Sequence, residues 1–175
     1  MGTYKNNELI IKSSFQFPCS YIKGKFEKRL CINILESNSK QIISELTKKG
    51  FRRNHDHMYI PSCQGCNSCI PSRINLKEFN LSKSNKRNIK NNDDLFLIEN
   101  QKYTKNRYHL FKKYCEKRHH NGLMKKMTEI EFINFFHKSI NPTKIFDLVD
   151  RDKCLYGSIL LDELNDGYSA VYSFF

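Results

Sequence analysis

The stretch GFRRNHDHMYIPSCQGCNSCIPSRI, Gly50–Ile74, contains three cysteines at intervals of three residues. Only small or polar residues separate Cys63, Cys66 and Cys69, so the stretch supplies no apolar neighbours for buried thiols. Free cysteines are usually core residues, but the residues between these three cysteines do not form a hydrophobic core. Gly65 permits the tight backbone that such a spacing needs. The pattern therefore indicates a loop whose thiols bind a metal or brace a neighbouring site.

A metal at this loop would need a fourth ligand, because tetrahedral zinc and iron–sulfur clusters both take four. Cys19 is the best cysteine for that position, and His55 or His57 are the histidine alternatives. The candidate set is Cys19, Cys63, Cys66 and Cys69. No cofactor is certain, because the spacing does not choose between zinc, a cluster and packed reduced thiols. The other cysteines, Cys31, Cys115 and Cys154, are predicted to be core residues.

The charge of the chain favours a polyanionic partner. The 175 residues carry 30 Lys and Arg against 18 Asp and Glu, a formal net charge of +12. Such an excess attracts nucleic acid first and membrane surfaces second. A lysine-rich genome is the alternative explanation, but it does not account for the shortage of acidic residues. Neither a run of about 18 apolar residues nor a signal peptide is present, so we expect a cytoplasmic protein with reduced thiols.

Periodicity predicts an α+β protein with a boundary near residue 81. Residues 1–81 form a small cysteine-bearing domain and residues 82–175 a second domain. In the first, we predict extended structure over 19–35, 51–60 and 72–82, and a helix over about 40–49 that Gly50 ends. In the second, we predict a buried strand over 95–99, helices over 103–118 and from a Thr128–Glu131 capping box, and three strands after Pro142.

The polar segment SKSNKRNIKNNDD, Ser82–Asp94, carries a regular basic pattern. Its cationic residues recur every three or four positions, which on a helix would place them in one stripe. They are Lys83, Lys86, Arg87 and Lys90. A second basic group follows in the next predicted helix: Lys112, Lys113, Lys117 and Arg118.

Gly50–Ile74 resembles the signature of the bacterial aspartate/glutamate leucyltransferases, which are relatives of arginyl-tRNA–protein transferase. That signature reads Gly-Phe-Arg-Arg-Ser, Tyr-Arg-Pro, Cys-x-x-Cys-x-x-Cys and Val-Pro-Val-Arg. This chain departs from it at Asn54, Ile60, Ile70 and Ser72. Four further segments resemble family segments in the same order: Pro18–Lys25, Ser82–Leu95, Tyr108–Met124 and Tyr168–Phe175.

The resemblance implies an acetyltransferase-like (GNAT) second domain, and we expect that domain to be truncated at its C-terminus, since relatives continue beyond YSFF. It also implies an aminoacyltransferase that moves leucine from leucyl-tRNA to proteins beginning with Asp or Glu, which marks them for the N-degron degradation pathway. Two alternatives stay open. One is an arginyl-tRNA–protein transferase, and the other is a non-enzymatic, metal-dependent RNA-binding module.

The implied substrates suggest roles for the basic residues. A carboxylate on the acceptor favours a guanidinium, whose planar fork binds it in bidentate fashion, and we predict Arg52, Arg53 and Arg73 for this role. We assign the tRNA to the stripe of Lys83, Lys86, Arg87 and Lys90. A free α-amine has a pKa of about 7.7–8.0, so no strong base is required. We assign no catalytic residue. The adjacent His119 and His120 are candidates for proton transfer, although an exposed pair at a helix end is the simpler interpretation.

Overall fold

The computed structural model describes residues 9–34, 39–118 and 122–175. It has helices and antiparallel sheets, as an α+β protein should. The chain divides into two units, Met1–Ser72 and Arg73–Phe175. The boundary expected after residue 81 stays a prediction. Among the described residues, no helix is both long and apolar enough to cross a lipid bilayer.

The N-terminal unit is built on a four-stranded antiparallel sheet with strand order β1-β4-β6-β5. The predicted extended segments before Leu35 and from Phe51 are confirmed, although each is divided into two short strands. One helix accompanies them. The elements are β1 (Ile11–Ser13), β2 (Phe17–Pro18), β3 (Phe26–Glu27), β4 (Arg29–Asn33), α1 (Ser39–Lys48), β5 (Arg52–Asn54) and β6 (His57–Pro61).

Helix α1 ends as its sequence predicts. Gly50 lies in the left-handed region with φ = 90°, where a residue with a Cβ is strained. The N–H of Phe51 donates to the carbonyl of Leu46 at 3.0 Å, the 6→1 bond of a Schellman motif. A Cβ on Gly50 would lie 2.8 Å from Cγ of Pro71. Glycine is therefore required here by both conformation and space.

The C-terminal unit has a second four-stranded antiparallel sheet, with order β10-β9-β8-β7. Its last three strands form the predicted meander, and a capping box between Thr128 and Glu131 begins the last helix as predicted. The elements are α2 (Lys83–Lys90), β7 (Phe96–Glu99), α3 (Lys105–Arg118), α4 (Glu129–Phe136), β8 (Thr143–Val149), β9 (Leu155–Glu163) and β10 (Tyr168–Phe174).

Aromatic rings from two helices and one strand form the core of the C-terminal unit. Phe132 of α4 is fully buried, with its ring centroid 4.8 Å from that of Phe111 on α3 and 5.2 Å from that of Phe136. Phe174 of β10 packs against the same cluster. Such ring pairs add to the stabilisation that burial gives.

The sequence of α4 predicts an apolar side formed by Ile130, Ile133, Phe135 and Phe136, and the structure shows that this prediction is only partly right. Phe135 and Phe136 are buried, but Ile130 is 72% exposed. The most central side chain is Phe132, which the prediction left out. A helix of eight residues shows only two turns, so its buried face cannot be fixed by periodicity alone.

Two strand predictions need correction. The segment 95–99 forms β7, but all four residues of β7 are exposed, because the strand lies at the sheet edge and pairs with β8. Residues 72–82 form no strand. Ile74 and Leu76 are exposed, and the Asn75 side chain accepts from the N–H of Lys77 at 3.2 Å. Such a local bond competes with sheet pairing.

The predictions for the three core cysteines have different outcomes. Cys115 is fully buried in the aromatic cluster, as expected. Cys31 is half-buried on β4. Cys154 is exposed, so its assignment to the core is wrong. It lies in the turn between β8 and β9, where its N–H donates to Oδ1 of Asp150 at 2.8 Å.

Candidate functional site

The three loop cysteines line one pocket. Cys63, Cys66 and Cys69 surround a space of 270 Å³ together with Pro61, Ser62 and Asn67. The N–H of Cys66 donates to the carbonyl of Cys63 at 3.4 Å, and Gly65 has φ = 68°, the left-handed conformation that glycine permits. The Cys63 thiol contacts the carbonyl of Lys28 at 3.8 Å, which ties the loop to the segment before β4.

Cys19 lies in the loop between β2 and β3. Its sulfur accepts hydrogen bonds from the N–H groups of Tyr21 at 3.5 Å and Ile22 at 3.4 Å. Cys19 does not line the pocket of the other three cysteines. Within ranges 9–34, 39–118 and 122–175, no group of three or more His, Cys, Asp or Glu side chains is arranged to hold a metal ion. Metal binding at Cys19, Cys63, Cys66 and Cys69 stays a prediction, which elemental analysis of the purified protein tests.

The environment of Cys66 favours its thiolate. A hydrogen bond with the Ser68 hydroxyl, at a Sγ–Oγ distance of 3.5 Å, lowers the pKa of the Cys66 thiol. The N–H of Ser68 and the positive charge of Lys25 lower this pKa further, while desolvation opposes them. The loop between β2 and β3, which carries Lys25, thus lies next to the cysteine pocket.

The three arginines predicted to bind the acceptor are in different surroundings. Arg52 and Arg53 are consecutive on β5 and therefore point to opposite faces of the sheet. Arg52 is half-buried, whereas Arg53 is buried and donates from Nη1 to the carbonyl of His55 at 3.0 Å. Arg73 is exposed at the beginning of the C-terminal unit. Their acceptor role remains a prediction.

The basic stripe predicted over 82–94 lies on a helix. Helix α2 spans Lys83–Lys90, and Ser82 caps it by accepting from the N–H of Asn85 at 3.1 Å. No residue of α2 is buried, so its four cations are accessible to a large ligand. An isolated helix of this length is marginal in water. A polyanion along the stripe would stabilise it.

The second basic group is less available. Nζ of Lys112 donates to the carbonyl of Lys125 at 2.5 Å and to that of Met127 at 3.4 Å. This lysine therefore joins α3 to the segment before α4. Lys117 and Arg118 occupy the last turn of α3, where cations interact favourably with the helix dipole. The histidines at 119 and 120 lie outside the described residues.

The sequence did not reveal a buried ion pair beneath the helices of the C-terminal unit. Arg107 of α3 is fully buried and binds the Asp147 carboxylate of β8 with two bonds, Nη2–Oδ2 at 2.6 Å and Nε–Oδ1 at 3.0 Å. The hydroxyl of Ser158 donates to the same carboxylate at 2.7 Å, and the Asn100 amide donates to it at 2.9 Å. Every charged oxygen in this site therefore has partners.

The same guanidinium organises the loop that precedes α3. It donates to the carbonyls of Lys102 at 2.7 Å and Asn100 at 2.9 Å, and Nη1 lies 3.3 Å from Nε2 of His137. Nδ1 of His137 lies 3.1 Å from the carbonyl of Gln101. His137 is therefore neutral, with the proton on Nδ1 and with Nε2 accepting from Arg107. Tyr103 packs edge-on against its ring and also binds Glu129.

We expect His137 to make the stability of the protein depend on pH. Burial lowers the pKa of His137 and the Arg107 charge lowers it further, while the Gln101 carbonyl and Asp147 oppose the shift. A histidine whose folded pKa is depressed stabilises the fold fully above its unfolded pKa of about 6.5. That contribution is lost as the pH falls from there towards the folded pKa. Urea titrations between pH 7.5 and 5 should show this decline.

The control is His137→Gln, whose amide can replace both hydrogen bonds but does not titrate. Its free energy of unfolding should fall less than that of the wild type over the same pH range. The pKa of His55 is also lowered, chiefly by burial, so some decline should remain in the variant. Equal declines in both proteins would contradict the assignment to His137.

Comparisons with known proteins match both units of the chain. The family described as "Arginine-tRNA-protein transferase, N terminus" matches residues 17–87, and the one described as "Arginine-tRNA-protein transferase, C terminus" matches residues 106–175. An aspartate/glutamate leucyltransferase of Saccharophagus degradans is 33% identical over 170 residues, covering 97% of this chain and 72% of the relative. One of Granulibacter bethesdensis is 34% identical over 160 residues, covering 90% of this chain. The chain spans 60% of the length of that second relative.

Proposed function

Because the chain belongs to the aspartate/glutamate leucyltransferase family, we propose that the protein transfers leucine from leucyl-tRNA to the N-terminus of proteins that begin with Asp or Glu. The observation that carries this proposal is the similarity to the Saccharophagus degradans relative, which extends over 97% of the chain and hence over both units. We place this enzyme in the cytoplasm, and its product is marked for degradation in the N-degron pathway that the resemblance implies.

The reaction is the aminolysis of an activated ester. The neutral α-amine of the acceptor attacks the ester carbonyl carbon of leucyl-tRNA and forms a C–N bond. The C–O bond to the ribose of the tRNA breaks, and the proton lost by the amine passes to that oxygen. Since an α-amine has a pKa of about 7.7–8.0, a useful fraction is neutral near pH 7.5. Holding amine and ester together can then supply about 7–11 kcal/mol of the barrier.

Two features of the structure support this reaction. They are the accessible basic stripe on helix α2 and the folded core of the C-terminal unit. The acetyltransferase-like (GNAT) architecture that the resemblance implies is our proposal for the C-terminal unit, and the packing of α3 and α4 onto an antiparallel meander is compatible with it. The acidic partner of the basic α2 stripe is the tRNA donor. Backbone N–H groups of a strand or loop would stabilise the oxyanion that forms when the amine attacks.

The α2 stripe gives a testable prediction about the donor. In the double variant Lys86→Gln/Arg87→Gln, we expect weaker binding of tRNA and a log Kd that depends less steeply on log salt, by about two units of slope. Each lost cation removes one phosphate contact and the counterion release that accompanies it. Filter binding of leucyl-tRNA at several salt concentrations measures both quantities.

A matched control removes the same charge elsewhere on the C-terminal unit. Arg151→Gln/Lys153→Gln changes two exposed cations in the turn between β8 and β9, and its salt dependence should equal that of the wild type. If both double variants lose the same slope, the attraction comes from net charge and the stripe has no special role.

Arginine is the second candidate for the transferred amino acid, because both matching family descriptions name an arginine-tRNA-protein transferase. The two candidates differ in the donor that the enzyme accepts. Incubation of the protein with an Asp-initiated peptide and either leucyl-tRNA or arginyl-tRNA separates them, since mass spectrometry identifies the residue that the peptide gains. The names of the curated relatives favour leucine.

A further inference from the structure

The two faces of the N-terminal sheet have different surroundings. On β5, Arg53 is opposite Met58 in the strand register, and Met58 is opposite Ile32. Met58 is fully buried and Ile32 is 2% exposed. Ile43 and Leu46 of helix α1 are buried as well. Helix α1 therefore packs on this face, and Arg53 belongs to its buried layer. Residues one position along each strand lie on the opposite face.

A continuous row of polar side chains crosses that opposite face. The register pairs Arg52 with Tyr59, Tyr59 with Cys31, and Cys31 with Lys12. Lys12 is exposed and the other three are half-buried, so the row is accessible to a small ligand. Cations stand at both ends of it. No hydrogen bond or ion pair within the described parts of the chain engages the Arg52 side chain.

The tyrosine in this row is held in place from one side. The guanidinium of Arg29 stacks over the Tyr59 ring at 4.3 Å and over the Phe17 ring at 4.8 Å. Arg29 is itself fixed by Glu27, with Nε–Oε1 at 2.5 Å, and Glu27 is 5% exposed. One face of the Tyr59 ring is therefore covered by the Arg29 guanidinium. Its hydroxyl and the Arg52 fork remain the functional groups of the row.

We infer that Arg52, with Tyr59 opposite it, binds the side-chain carboxylate of the acceptor's N-terminal Asp or Glu. This inference rests on the proposed function and specifies which of the two arginines on β5 acts. The fork of Arg52 matches a carboxylate in bidentate fashion. Glu27 does not compete, because Arg29 engages it. Arg53 is excluded, because it lies in the layer that α1 covers.

The test measures peptide binding without tRNA. Dye-labelled peptides that begin with Asp or Asn and are otherwise identical are titrated with the protein, and fluorescence anisotropy gives each Kd. For Arg52→Gln we expect the Kd of the Asp peptide to rise about 10- to 100-fold, with the Kd of the Asn peptide unchanged. Arg52→Lys keeps the charge without the planar fork, so its Kd for the Asp peptide should lie between those of the wild type and Arg52→Gln. Tyr59→Phe keeps the ring under Arg29 and should raise the Kd of the Asp peptide less than Arg52→Gln does.

Arg151→Gln is the matched control, since it removes an exposed arginine from the C-terminal unit and should leave both Kd values unchanged. The inference is overturned if the wild type does not distinguish Asp from Asn, or if Arg52→Gln keeps that distinction. It is also overturned if Arg52→Gln weakens tRNA binding alone, which would make Arg52 a phosphate contact. If Asp-peptide binding depends on Arg52 but leucine is never transferred, the inference stands and the proposed function fails.

Discussion

Replacing Asp147 by asparagine should lower the free energy of unfolding of the C-terminal unit by about 3–5 kcal/mol. The variant keeps the shape of the side chain but removes the charge that compensates Arg107, which is fully buried. An uncompensated guanidinium in a buried site carries its whole desolvation penalty. Because domains have a net stability of only about 5–15 kcal/mol, this loss is a large fraction of the total.

Urea unfolding followed by circular dichroism measures this effect. Asp152→Asn provides the control, because it makes the same chemical change at an exposed position in the turn after β8. We expect that control to lie within about 0.5 kcal/mol of the wild type. A second variant, Ser158→Ala, removes one of the four bonds to the carboxylate and should cost about 1–3 kcal/mol. If Asp147→Asn were as stable as Asp152→Asn, the ion pair would not contribute as described.

Phe132→Ala should lower the free energy of unfolding by about 3–5 kcal/mol, because it removes a fully buried ring from the centre of the core. The ring contacts Phe111, Phe136 and Phe174, at centroid distances of 4.8, 5.2 and 6.2 Å. Its loss leaves a cavity that these rigid neighbours fill poorly, and it also removes the aromatic pair energies. The urea midpoint should fall by a corresponding amount.

Ile130→Ala is the matched control on the same helix. Its side chain is 72% exposed, so we expect a change within about 0.5 kcal/mol. Helical periodicity alone assigned Ile130 to the apolar side and left out Phe132, so the two variants also compare the sequence prediction with the structure. A larger loss for Ile130→Ala than for Phe132→Ala would mean that α4 is rotated about its axis relative to the structure.

Local signals in the sequence predicted the elements well. The glycine after α1, the capping box of Thr128 and Glu131, and the stripe on α2 each act within a few residues of chain. The meander was predictable for the same reason, since its strands are consecutive and its turns are short. The extended structure predicted over 72–82 is wrong, because the alternation of apolar residues in that segment has no partner strand to pair with.

Long-range pairing could not be predicted from the sequence. Arg107 is surrounded in the sequence by lysines and polar residues and resembles a solvated helix position, while its partner Asp147 lies forty residues later. The choice between Arg52 and Arg53 could not be predicted from the sequence either, because it also depends on long-range pairing. Both arginines suit a carboxylate, and only the register of β5 on β6 shows which of them α1 covers.

The most direct test of the central claim is the transfer of leucine itself. The protein is incubated with leucyl-tRNA and a peptide that begins with Asp, and mass spectrometry measures the peptide. Uncharged tRNA and an Asn-initiated peptide are the controls. We predict that the Asp peptide gains one leucine residue at its N-terminus, and that neither control reacts. A peptide that gains nothing while the protein still binds tRNA would contradict the proposed function and favour an RNA-binding module.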